Sequence, residues 1–99
     1  MQNRINLHPE TDTDVLELID EEVMPPHTLV LHNDDYNTFD FVIKSLIEVC
    51  NHEPEQAEQC TYLVHYRGYC EVKNGSANKL VPMKRELLRR GLSATLEKN

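Results

Sequence analysis

Nothing in this sequence approaches the about 20 consecutive apolar residues of a bilayer-spanning helix, which excludes a span of that kind. Its start also lacks the basic-then-apolar pattern of a secretory signal, so the expected address is the cytoplasm. Cysteine is scarce. Cys50, Cys60 and Cys70 are odd in number and ten residues apart, which fits neither a complete disulfide framework nor the close cysteine pairs of structural zinc. They read as reduced thiols serving as small apolar side chains. Basic residues are outnumbered 10 to 17, and a surface that binds phosphates needs the opposite balance, so no nucleic-acid partner is expected. The one basic run, Lys84, Arg85, Arg89 and Arg90, falls near the end of a helix, where cations suit the dipole. Internal repeats and low-complexity tracts are also missing.

What is present divides unevenly. Residues 1–26 hold seven acids against Arg4, a net charge of −6, while residues 27–99 hold ten acids and nine bases, a net charge of −1. The first stretch lacks aromatics and ends in Pro25-Pro26, and it reads as a flexible acidic extension. Val15, Leu16, Leu18, Ile19 and Val23 within it suit docking on a partner. Residues 27–99 form the folded domain, long enough for one core.

Within that domain Thr28–His32 is a short β-rich run closed by Asn33-Asp34-Asp35, and it reads as a strand followed by a polar turn. Phe39, Val42, Ile43, Leu46 and Cys50 recur at the spacing of one buried helix face, with Asn37 or Thr38 as its cap. Pro54 opens a second helix that carries Ala57, Cys60, Thr61 and Val64 on one side and closes at Gly68. Tyr69–Lys73 alternates as a strand and runs into an Asn74-Gly75 turn. Ser76 is placed to cap a third helix containing Leu80, Met83 and Leu87. Pro82 restricts its secure part to residues 82–90. Leu92–Glu97 is the closing strand. The order β-α-α-β-α-β predicts an α+β fold, a small three-stranded antiparallel sheet packed against three helices.

Three groups of residues carry the chemistry. Asn33, Asp34 and Asp35 gather acceptors and negative potential at the end of a strand, which suits a cation. His65 lies four residues after Thr61, on the same helix face. Phe39, Val42, Thr61, Val64 and Leu92 form an apolar set.

The run from Asn33 to Val42, N-D-D-Y-N-T-F-D-F-V, resembles the hallmark N-D-D-Y-T-x-M-E-F-V of the ClpS adaptors of the Clp protease system. Val64-His65-Tyr66-x-Gly68 is similar to that family's V-H-x-x-G, and Ala94–Glu97 to its closing strand. The resemblance implies a protein that catalyses nothing and needs no metal or cofactor. It implies a receptor that binds the free α-amine and hydrophobic first side chain of N-degron substrates beginning with Leu, Phe, Tyr or Trp. These are handed to a Clp AAA+ unfoldase of the ClpA or ClpC type, which feeds the ClpP protease. By motif position the amine contacts fall on Asn33, Asp34, Asp35 and His65, and the hydrophobic pocket on Phe39, Val42, Thr61, Val64 and Leu92. The chain is expected to be a monomer, with the acidic extension as its partner-engaging arm.

The chemistry of those residue types agrees. An ammonium has three donors and one charge, so a carboxylate, an amide oxygen and a neutral imidazole can each accept one bond. Such charge-assisted bonds contribute about 1.5–3 kcal/mol each. Thr61 and Phe39 stand where the family usually has methionines. Thr61 widens the hole and Phe39 refills it, so Leu and aromatic ends are expected to bind, with relaxed rejection of Ile and Val. The same order of elements also resembles the C-terminal domain of the ribosomal stalk protein, a docking module. Such a module has no need of the acceptor cluster around His65.

Overall fold

The computed structural model describes residues 25–99; the reading of the acidic extension therefore lies, apart from Pro25 and Pro26, outside the described residues. The elements are β1 (His27–His32), α1 (Phe39–Cys50), α2 (Pro54–Arg67), β2 (Tyr69–Gly75), α3 (Ala77–Arg89) and β3 (Ser93–Lys98). The sheet is antiparallel in the order β2-β1-β3, so the first strand is central. This is the expected α+β arrangement of three helices and three strands.

Local chemistry sets each boundary. Thr38 caps α1, its Oγ1 accepting the Phe41 N–H at 3.1 Å. Asn51, at φ 59°, closes α1 in the left-handed conformation that asparagine tolerates. Pro54 stands at the start of α2, where no N–H is missed, and Gly68 at φ 96° ends it. Leu46, Cys50 and Val42 from α1 meet Ala57, Cys60 and Val64 from α2 over Leu29 and Leu31 of the central strand. Leu80 and Leu87 bring α3 onto the same core. Arg90, just past α3, ties that end to α1 through Glu48 at 2.9 Å and Ser45 at 3.3 Å.

Three expectations are corrected. The third helix is not restricted to residues after Pro82. It begins at Ala77 and runs through the proline. Pro82 removes the donor to the Asn78 carbonyl, but both residues lie on the exposed side, while Leu80 and Leu87 hold the opposite face against the core. Ser76 stands at the cap position by its backbone only. Its carbonyl accepts from Lys79 and Leu80, and its side chain makes no capping bond.

The Asn74-Gly75 turn is likewise absorbed into β2, because His27 pairs with Gly75 and Thr28 with Asn74. The Thr28 hydroxyl donates to Asn74 Oδ1 at 2.7 Å. Between Leu29 and Val30 the register slips by one residue, leaving Val72 without a partner position in β1. Its carbonyl instead accepts the Nε2–H of buried His52 at 2.7 Å.

Candidate functional site

The β1–α1 connection, residues 33–38, is held from four sides. Asn33 N–H donates to the Gly68 carbonyl at 2.9 Å, pinning the loop to the end of α2. Asp34 Oδ1 accepts the N–H groups of Tyr36 and Asn37, both at 2.8 Å, and Oδ2 accepts the Asn37 side-chain amide at 3.0 Å. Asn37 Nδ2 donates in turn to the Gly91 carbonyl at 3.0 Å, crossing to the turn before β3. The Thr38 cap completes the set. An Asx turn of this kind is why asparagine and aspartate crowd this segment.

Beside the loop lies a cavity of about 340 Å³. All nine residues singled out in the sequence line it: Asn33, Asp34, Asp35 and His65 from the polar set, and Phe39, Val42, Thr61, Val64 and Leu92 from the apolar one. Val42, Thr61, Val64 and Leu92 are buried. Thr61 spends its hydroxyl proton on the Ala57 carbonyl at 2.8 Å, one turn back, so this threonine is satisfied within its own helix. Phe39 is half-buried, with its ring edge-to-face against His65 at 5.4 Å and Tyr62 at 5.2 Å.

The polar residues are not equivalent. Asp34 is turned to its own loop with three accepted bonds, leaving Oδ2 with one further acceptor position. The side chains of Asn33 and Asp35 and the imidazole of His65 are exposed, and none of them hydrogen-bonds a described residue. Of the four polar residues singled out in the sequence, those three therefore hold the most free acceptor capacity. Among the described residues no cluster of three or more His, Cys, Asp or Glu is arranged to hold a metal.

Sequence reasoning missed Leu31, His32, Asn37 and Thr38, which also line the cavity. His32 ends β1, with Nε2 at 2.8 Å from Thr95 Oγ1 on β3. Its place next to Asn33 was the available signal. Asn37 lies within the same run, between Asp35 and Phe39, but its contact with Gly91, 54 residues away, could not be read from it.

Asp34 carries a pH consequence. Partial burial pushes its pKa up, but the bonds from the Asn37 backbone, the Asn37 side chain and the Tyr36 backbone outweigh that and hold it below the ordinary 3.8. A carboxyl group depressed in the folded state stabilises the fold above its unfolded pKa and loses that contribution as pH falls through the folded one. The loop is therefore expected to keep its shape down to about pH 4 and to loosen below it. Amide chemical shifts of Tyr36 and Asn37 followed from pH 6 to 2 check this. A loop transition centred above pH 4.5 would contradict it.

Residues 22–95 match the model of a family described as ATP-dependent Clp protease adaptor protein ClpS. The chain belongs to the ClpS family. Among its relatives, the ATP-dependent Clp protease adapter protein ClpS of Nitratidesulfovibrio vulgaris (strain Miyazaki F) is 40% identical over 65 residues, 64% of this chain and 65% of that protein. The ClpS of Clostridium acetobutylicum is 48% identical over 42 residues, 42% of each chain. This ClpS-family chain thus matches just under two thirds of the length of the N. vulgaris relative. A solved structure, that of Agrobacterium tumefaciens ClpS2 bound to L-phenylalaninamide, is similar with a TM-score of 0.66 at 21% identity, over 76% of this chain and 98% of that one. At that identity the likeness is one of fold, and it agrees with the ClpS assignment.

Proposed function

We infer that this ClpS-family protein is a non-catalytic adaptor that grips the first residue of its substrates. The free α-amine is held by Asn33, Asp35 and His65, with Asp34 shaping the loop and offering its remaining acceptor position. The first side chain enters the cavity walled by Phe39, Val42, Thr61, Val64 and Leu92. The captured protein is delivered to a Clp AAA+ unfoldase of the ClpA or ClpC type for degradation by ClpP, in the cytoplasm, with the adaptor acting as a monomer. No nucleic acid or membrane enters this reading, and no helix among the described residues is long and apolar enough to cross a membrane.

The observation that carries this reading is the juxtaposition of an apolar hole with three uncommitted acceptors on its rim. A cavity of about 340 Å³ is small among ligand pockets, the size for one residue and not for an extended cofactor. The ligand named with the Agrobacterium structure supports it chemically. L-phenylalaninamide has a free α-amine, a benzyl side chain, and an amide in place of the next peptide bond, as the first residue of a chain has. Burying such a side chain contributes about 1.5–3 kcal/mol. With two or three charge-assisted bonds, and after association costs, a complex near the micromolar range, about −8 kcal/mol, results.

The test is fluorescence anisotropy with decapeptides beginning with Leu or Phe, each with a free and an acetylated terminus. Free peptides are expected to bind at about micromolar Kd, and acetylated ones to lose binding, because acetylation removes the charge and leaves too few donors for the rim. Equal binding of free and acetylated peptides would overturn the reading. Ile- and Val-initial peptides in the same series measure how far Thr61 relaxes the pocket.

A further inference from the structure

Four rings leave the cavity in an unbroken series. Phe39 and His65 belong to its wall. Beyond them Phe39 meets Tyr62 at 5.2 Å between centroids, and His65 meets Tyr66 at 5.3 Å, both at 73°. Tyr62 and Tyr66, one turn apart on α2, lie parallel at 6.2 Å and 10°. They are 42% and 77% exposed, so this pair contributes little to the core. Glu55 and Glu58 precede Tyr62 by seven and four residues on the same face of the helix. Both are exposed, and neither is ion-paired to a described residue. The arginine of α2 does not neutralise them. Arg67 lies over the Tyr69 ring at 4.4 Å and pairs with Glu71 at 3.3 Å.

A ring face is the negative part of its quadrupole, and two carboxylates add to that potential. We propose that Tyr62 and Tyr66 form a second subsite, which takes a cationic side chain, arginine above all, from the second or third residue of the captured terminus. This rests on the amine-capture reading above and adds a sequence preference to it. Reach supports the position: an extended peptide advances about 3.3 Å per residue, so two residues cover the step from the cavity wall to the tyrosine pair. Arginine is favoured over lysine because its planar guanidinium stacks on an aromatic face, as Arg67 already does on Tyr69.

Anisotropy with the full chain and free peptides beginning Leu-Ala-Ala, Leu-Arg-Ala, Leu-Ala-Arg and Leu-Glu-Ala tests it. Arginine at one of the two positions is expected to tighten binding about two- to fivefold over alanine, the range of an exposed cation–π contact. Glutamate is expected to weaken it. In the Tyr62→Ala/Tyr66→Ala double variant the arginine-to-alanine ratio is expected to fall to about one. In Tyr62→Phe/Tyr66→Phe, which keeps the rings, the ratio is expected to persist. An arginine advantage that survives removal of both rings, or that is lost in the phenylalanine variant, would overturn the subsite. So would its absence in the unmodified protein with peptides that do bind, and amine capture would still stand. Failure of every Leu-initial peptide to bind would overturn amine capture and the subsite together.

Discussion

Replacing Asp35 with alanine and His65 with phenylalanine in one variant is expected to weaken binding of a free Leu-initial peptide by at least about a hundredfold. Each substitution removes one acceptor from the bound ammonium, and a charge-assisted bond is worth about 1.5–3 kcal/mol. Two such losses amount to about 3 kcal/mol or more, and every 1.4 kcal/mol is tenfold in Kd. The fold has little stake in either group. Both side chains are exposed and neither hydrogen-bonds a described residue. Phenylalanine at position 65 keeps the edge-to-face contacts with Phe39 and Tyr66 while removing the acceptor nitrogen. Thermal melting of the variant should match that of the parent within a few degrees. A loss of less than about fivefold in a folded variant would mean that the amine is held elsewhere.

Leu46→Ala is expected to have the larger effect on the fold itself, about 2–5 kcal/mol of lost stability. Leu46 is 0% exposed, in the middle of α1, and it belongs to the single core that all three helices share with the sheet. Truncation forfeits the transfer energy of three carbons and leaves a void whose lining includes rigid secondary structure on several sides, so little collapse is available. In a domain of this size each 1 kcal/mol lowers Tm by about 4–8 °C, so a drop of roughly 8–40 °C by circular dichroism is the expected reading. A drop below 5 °C would place the core elsewhere. Peptide binding measured well below the new Tm should change little, because Leu46 does not line the cavity.

Much of this architecture was legible because periodic burial is a local property. The bounds of α1 and α2 follow from residues three and four apart that share a face, and Ala57, Cys60, Thr61 and Val64 are the buried residues of α2 as the spacing required. The start of α3 was not legible, because a proline beyond the first turn reads as a break wherever its ring points, although the spacing of Leu80, Met83 and Leu87 already puts Pro82 on the opposite face. Pro82 and Asn78 lie on the exposed side, so the missing bond is not sealed in the core, and the buried Leu80 and Leu87 keep the helix in one piece. The end of β2 was obscured in a similar way. Asn74-Gly75 has turn chemistry, and only pairing with His27 and Thr28 keeps it extended.

The same division applies to the cavity. Nine of its thirteen lining residues could be named from motif and helix face, since they sit at fixed offsets within short runs of the chain. What the sequence did not separate was Asp34 from Asp35. Adjacent carboxylates look alike until the bonds to Tyr36 and Asn37 show that the first is committed to the turn and the second is not. His32 was similarly hidden, because strand alternation gives a side chain's face but not the width of the hole beside it.

The amide of Asn37 reaches both the carboxylate of Asp34 and the carbonyl of Gly91, whose neighbour Leu92 is part of the apolar wall. Two walls of the cavity, one from the loop after the first strand and one from the turn before the last, are thereby stitched by a single side chain. The width of the opening between them is therefore tied to one amide group.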